Sequence, residues 1–239
     1  MVYWLYIIVS ILILPGIIYG IVAQVNVTNT FEKFKNINSK TGKTANEVAR
    51  EMLDQAGLWD VKIYQTRGNL TDNYDPRKRV LYLSDDTYSS KSVAAIGVAA
   101  HEVGHAIQHK EKYTPLMLRN VFVPVVNFSN SIFWLVMIVG IILDIAISTS
   151  SVGMVLVWIS VALYGSSTIF YLITVPVEYN ASDRALATLS KGILAPEEMP
   201  YAKSVLRAAG QTYVAALITS SLYFLRFVLR ILIFFGRRD

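Results

Sequence analysis

The chain contains no cysteine, which excludes disulfides, thiolate zinc clusters and cysteine nucleophiles. It is also short of charge. Asp, Glu, Lys and Arg make up 16% of its 239 residues, against roughly a quarter in an average globular chain. Apolar residues reach 54% and the mean hydropathy is +0.43, so an ordinary soluble protein and a disordered one are both excluded. Histidine is scarce as well: all three, His101, His105 and His109, fall within nine residues. The net charge of +5 does not point to nucleic acid, because acidic residues interleave with the basic ones throughout.

The missing charges are missing in blocks. None occurs from Met1 to Phe31, from Asn120 to Leu143, or from Ile145 to Val177, where only Asp144 separates the last two blocks; a shorter gap covers Ala208 to Leu225. A bilayer core about 30 Å thick needs roughly 20 apolar residues in a helix. One span is therefore expected near Tyr3–Ala23. Two more are expected near Ser131–Ile147 and Val152–Val175, joined by a turn at Ser148-Thr149-Ser150-Ser151. Thr212–Phe235 is long enough to be a fourth, with Arg226 and Arg230 snorkelling toward Arg237 and Arg238; a basic amphipathic helix on the membrane surface is the alternative. The N-terminal run lacks a basic leader and a small-x-small cleavage site, so it reads as an uncleaved anchor.

The polar chemistry lies between the spans. Thr44-Ala45-Asn46-Glu47 is a capping box, and Ala45, Val48, Ala49, Met52, Leu53 and Ala56 then recur at helical spacing up to Gly57. Two strand-like runs, Val61–Gln65 and Val80–Leu83, flank a turn-rich stretch. Ser92 caps a further helix to about His109. The fold class is thus α+β: a small module with about four transmembrane helices, the module expected to be zincin-like on the His101-Glu102-x-x-His105 motif of its second helix. The expected organisation is an anchor over 1–25, the module over 26–130, a transmembrane hairpin over 131–177, a helical segment over 178–210 and a last helix over 211–239.

The helix after Ser92 carries His101-Glu102-Val103-Gly104-His105. Residues four apart share a helix face, so both imidazoles can bind one ion, and Glu102 can reach an attacking water as general base. Chance would produce this pattern in about one chain in a hundred of this length. Here it lies in an expected helix, among the small residues Ala99, Ala100, Val103, Gly104 and Ala106, just after a strand. His109 lies about 12 Å along the axis from His101, too far to share the ion, and reads as a surface or supporting histidine. With cysteine and histidine exhausted, the third ligand to a single Zn2+ is a carboxylate. Glu178 and Asp144 compete. The two-span hairpin returns Glu178 to the membrane face of His101, which favours it. Asp144 is a lone acid in an apolar run, and Leu143-Asp144 is similar to the Leu-Asp-Gly element of site-2-type intramembrane proteases, without the glycine.

The stretches LTDNYDP (70–76), LYLS (81–84), SVAAIGVAAHEVGHAIQ (92–108) and PVEYNASDRAL (176–186) resemble the family of bacterial membrane proteins known as putative neutral zinc metallopeptidases. The resemblance implies His101, His105 and Glu178 as metal ligands, Glu102 as base, and a hydrolase acting on peptide bonds. Asn73 departs from it, standing where the family usually has histidine. Glu178-x-x-Ala181 is also distantly similar to the Glu-x-x-Ala-Asp element of CAAX-type membrane metallopeptidases, but Ser182 intervenes before Asp183, leaving open whether Asp183 orients a histidine. For the oxyanion donor, Tyr179, Arg184 and His109 remain alternatives. The strand Val80–Leu83 is expected to hold an extended substrate by edge pairing, and membrane or membrane-adjacent proteins are the expected substrates. A non-catalytic metal-binding scaffold is the remaining alternative. Lysines and arginines flanking the spans, among them Lys33, Lys110 and Arg119, place the catalytic face in the cytoplasm of a bacterial cell by the positive-inside rule.

Overall fold

A computed structural model describes residues 1–147 and 151–236. In chain order the elements are α1 (Val2–Phe34), α2 (Ala45–Gln55), β1 (Lys62–Thr66), β2 (Asn73–Asp75), β3 (Val80–Ser84), α3 (Asp85–Tyr88), α4 (Val93–Lys110), α5 (Thr114–Ala146), α6 (Val152–Leu189) and α7 (Met199–Phe235). Helices α1, α5, α6 and α7 are each long and apolar enough to cross a membrane, and with the small sheet they define an α+β membrane protein. The chain forms two compact units.

The first unit comprises Met1–Ile21, Leu118–Val175 and Tyr213–Asp239. Its surface is inverted relative to a soluble protein: Ile11, Leu14, Ile21, Phe128 and Leu135 are all exposed, as lipid requires and water would penalise. Between apolar helices surrounded by lipid, close packing and polar contacts supply the cohesion. The Ser167 hydroxyl donates to Asn130 Oδ1 at 3.1 Å, Thr168 and Ser220 share a hydrogen bond at 2.9 Å, and Thr219 donates to the Gly16 carbonyl at 3.2 Å. The ring of Tyr164 packs between Phe133 and Phe227, 5.0 Å from each. The Arg226 guanidinium lies over the Tyr6 ring at 5.8 Å, whereas Arg237 and Arg238, its expected snorkelling direction, lie outside the described residues, as do Ser148, Thr149 and Ser150 of the expected turn.

The second unit, Val22–Met117 and Pro176–Thr212, carries the sheet. The capping box forms as expected: the Thr44 hydroxyl accepts from Glu47 N, and Thr44 N–H donates to the Glu47 carboxylate. Gly57, at φ +65°, then takes the left-handed conformation that lets the chain leave α2. Ser92 caps α4 through Ala95 N at 3.1 Å. The expected runs Val61–Gln65 and Val80–Leu83 appear one residue shifted or extended as β1 and β3. Two elements were not expected. Residues 73–75 pair antiparallel with β3 to form β2, and Asp85–Tyr88 turns into α3.

The strand order is β1-β3-β2, with β1 parallel and β2 antiparallel to β3. Strand β3 is therefore central and paired on both sides, so the expectation that Val80–Leu83 offers a free edge to substrate is wrong. The short β2 was hidden because a strand of three residues shows no periodicity. The other correction concerns α6. Glu178 does not begin a separate helical segment; α6 runs on through Pro176 to Leu189, although proline has no N–H to donate there.

Candidate metal centre

Helix α4 is buried nearly all round, and its small residues let neighbours come close. A Cβ on Gly97 would sit 3.6 Å from Ala202 Cα of α7. The approach of α6 is much closer: a Cβ on Gly104 would lie 2.4 Å from the Ala181 carbonyl oxygen and 3.2 Å from Ala181 Cα. The glycine inside the histidine motif and the alanine three residues after Glu178 are thus the two halves of one helix crossing. That crossing lays one turn of α6 against the face of α4 that carries the two imidazoles.

Glu178 is 2% exposed, and its Oε2 stands 3.2 Å from Nε2 of His101 and 3.5 Å from Nε2 of His105. Ligand atoms of the three residues all lie within 4.8 Å of one another, forming a group that could hold a metal ion. The two imidazoles meet edge to face at 4.8 Å between centroids. The outer ring nitrogens are engaged as well: His101 Nδ1 meets the Ser182 hydroxyl at 3.1 Å and His105 Nδ1 meets Gln108 Oε1 at 3.0 Å.

The donor set fits zinc. Two imidazole nitrogens and one carboxylate oxygen are the ligands of hydrolytic zinc sites, which keep a fourth position open. Tetrahedral ligands at zinc distances of about 2.0–2.1 Å stand roughly 3.3–3.4 Å apart, close to the two histidine–carboxylate separations here. Both outer nitrogens have hydrogen-bond partners, as metal-binding histidines almost always do.

Glu102 is the neighbouring carboxylate. Its Oε2 accepts the Tyr74 backbone N–H of β2 at 2.9 Å. Burial pushes its carboxyl above the usual carboxylate range, against the opposing pull of His105 and His101. Tyr74 also reaches along α4 in the other direction, its hydroxyl meeting His109 Nδ1 at 2.9 Å.

The remaining sequence candidates divide clearly. Asp144 lies in the other unit, where its backbone crowds Gly153, and does not belong to the His101, His105 and Glu178 group. Tyr179 packs against Gly210 of α7. Asp183 is exposed, and it is the Ser182 hydroxyl that touches a histidine. Arg184 binds Asn180 Oδ1 at 2.7 Å and Glu111 at 2.6 Å. Sequence reasoning missed Gln108, Ser182 and Tyr74. Gln108 carried a usable signal, since it stands three residues after His105 on the same helix face.

An HExxH helix thus faces a glutamate on a second helix within an α+β membrane protein. The chain belongs to the family described as "Putative neutral zinc metallopeptidase", whose model matches residues 9–232. It is 42% identical over 218 residues to a protein of Bacillus subtilis (strain 168) named "Putative membrane protease YugP", covering 91% of this chain and 92% of the relative. No solved structure matches it. Zinc is the metal that the family implies.

Proposed function

We propose that this chain is an integral-membrane, zinc-dependent endopeptidase that cleaves membrane or membrane-adjacent proteins, holding one zinc ion through His101, His105 and Glu178. The observation that carries the reading is the placement of Glu178 Oε2 opposite both Nε2 atoms, with Glu102 beside them. The bound zinc supplies Lewis acidity, polarising the scissile carbonyl and acidifying the attacking water. Glu102 takes the water's proton and passes it to the leaving amine. The Tyr74 N–H fixes one oxygen of Glu102, which leaves Oε1 for this transfer.

The oxyanion calls for a further donor. Tyr179 packs against Gly210 and Arg184 is committed to Asn180 and Glu111, whereas His109 is held at one nitrogen by Tyr74 and keeps the other; we assign it this role. With β3 covered, the strand beside Glu102 is β2, which pairs with β3 on one side and gives its outward Tyr74 N–H to Glu102 on the other. The distribution of basic residues supports a cytoplasmic catalytic face.

The test is Glu102→Gln in the full-length, detergent-purified protein. A peptidase loses cleavage by about two orders of magnitude or more while keeping its zinc. A metal-binding scaffold shows no cleavage in the wild type and no functional change in the variant, and that result would reject the enzymatic reading.

A further inference from the structure

A buried carboxamide must satisfy both its donors and its acceptor, and Gln108, with no exposed surface, does so in one orientation. Its Nε2 donates to the Val177 carbonyl and to Asn180 Oδ1, each at 2.9 Å. A main-chain carbonyl only accepts, so the amide cannot be reversed, and Oε1 is left facing His105 Nδ1 at 3.0 Å. Asn180 is fixed by the same logic. Its Oδ1 also takes the Arg184 Nε hydrogen at 2.7 Å, and a guanidinium only donates. Arg184 Nη1 in turn reaches Glu111 Oε2 at 2.6 Å, and the guanidinium lies 5.8 Å from the Tyr113 ring.

We propose that Gln108 is a positioning residue that places the ring proton of neutral His105 on Nδ1, with Asn180, itself set by Arg184, holding the Gln108 amide in the required orientation. The proposal rests on the reading of His105 as a metal ligand. A neutral imidazole has one lone pair. With the proton on Nδ1, that lone pair is on Nε2, 3.5 Å from the Glu178 oxygen. Two electron-rich atoms then face one another, an arrangement that a cation relieves. The opposite tautomer would put a proton between them and close the position with an ordinary hydrogen bond. His101 has no equivalent device, because the Ser182 hydroxyl at its Nδ1 either donates or accepts. The chain from Glu111 through Arg184, Asn180 and Gln108 thus acts on one ligand and not the other.

The test uses the full chain in detergent, with zinc affinity measured by chelator competition and the histidine tautomers read by nitrogen-15 NMR of the zinc-free protein. In the wild type, the His105 ring proton sits on Nδ1. Gln108→Leu weakens zinc binding about 10–100-fold and releases that proton preference. Asn180→Leu moves both readouts in the same direction, and Asn180→Asp, whose oxygens still accept from Gln108 and Arg184, restores them. Wild-type affinity and tautomer in both leucine variants would overturn the proposal. If Gln108→Leu fails to fold, the Asn180 pair decides, since equal affinities for Asn180→Leu and Asn180→Asp would overturn it too. His105→Ala separates the two levels: undiminished zinc binding there rejects the ligand reading itself, whereas loss of zinc upholds that reading and the Gln108 and Asn180 variants then decide the positioning role.

Discussion

Gly104→Ala adds one methyl group where the helix crossing has room for none. The new Cβ would lie 2.4 Å from the Ala181 carbonyl oxygen, about 1 Å inside ordinary van der Waals contact. Both contact partners are helix backbone, with no flexible side-chain end to swing away, so α4 and α6 must separate. Ala181 is less than one turn from Glu178, so most of that displacement is passed to the carboxylate. Metal–ligand distances tolerate about ±0.2 Å, and a shift several times larger removes the third ligand from bonding range. Stability responds less. Overpacking costs about 1–3 kcal/mol, while replacing a mid-helix glycine by alanine returns up to about 1 kcal/mol. The variant is therefore expected to fold, with a thermal midpoint a few degrees lower, and to lose at least tenfold in zinc affinity. Thermal unfolding in detergent and chelator competition measure the two quantities. A Gly104→Ala protein with undiminished zinc affinity would refute the claim that the helix crossing builds the site.

Three further expectations rest on the same geometry. Removing zinc with a chelator abolishes cleavage and lowers the thermal midpoint, and added zinc restores both; at a free-zinc concentration 100 times the dissociation constant, binding contributes about 2.7 kcal/mol. His109→Ala retains zinc and loses about 10²-fold in kcat, so unchanged kcat in steady-state assays would remove it from the mechanism. Glu198→Ala destabilises the unit around the sheet by about 3 kcal/mol in chemical unfolding, because this buried carboxylate accepts from the Ser39 hydroxyl, Lys40 N and Ala195 N; an effect under about 0.5 kcal/mol, the scale of an ordinary surface substitution, would rule that role out.

What the sequence made legible was what short-range chemistry dictates. Thr44 and Glu47 announce their helix because a capping box needs only four residues, and the charge-free runs declare the membrane helices because lipid excludes charge. The spacing of His101 and His105 follows from helix geometry alone. Glu178 could be favoured over Asp144 because a hairpin of two spans has only one topological outcome. The elements that escaped are those fixed by tertiary contact. Residues 73–75 read as turn, since Asp75-Pro76 dominates the local pattern and the pairing partner β3 lies beyond it. Residue 178 read as the start of a new helical segment, although the long helix runs on through Pro176. Gln108 and Ser182 are unremarkable in sequence and acquire meaning only when α4 and α6 cross at Gly104 and Ala181.

The proposed function stands on three side chains from two distant stretches holding one zinc ion. Metal analysis of the purified wild-type chain beside Glu178→Ala and Asp144→Ala puts this to the sharpest test. One zinc per chain is expected in the wild type and in Asp144→Ala, with loss of zinc in Glu178→Ala. Full zinc occupancy in Glu178→Ala, with loss in Asp144→Ala instead, would show that the ion is held elsewhere.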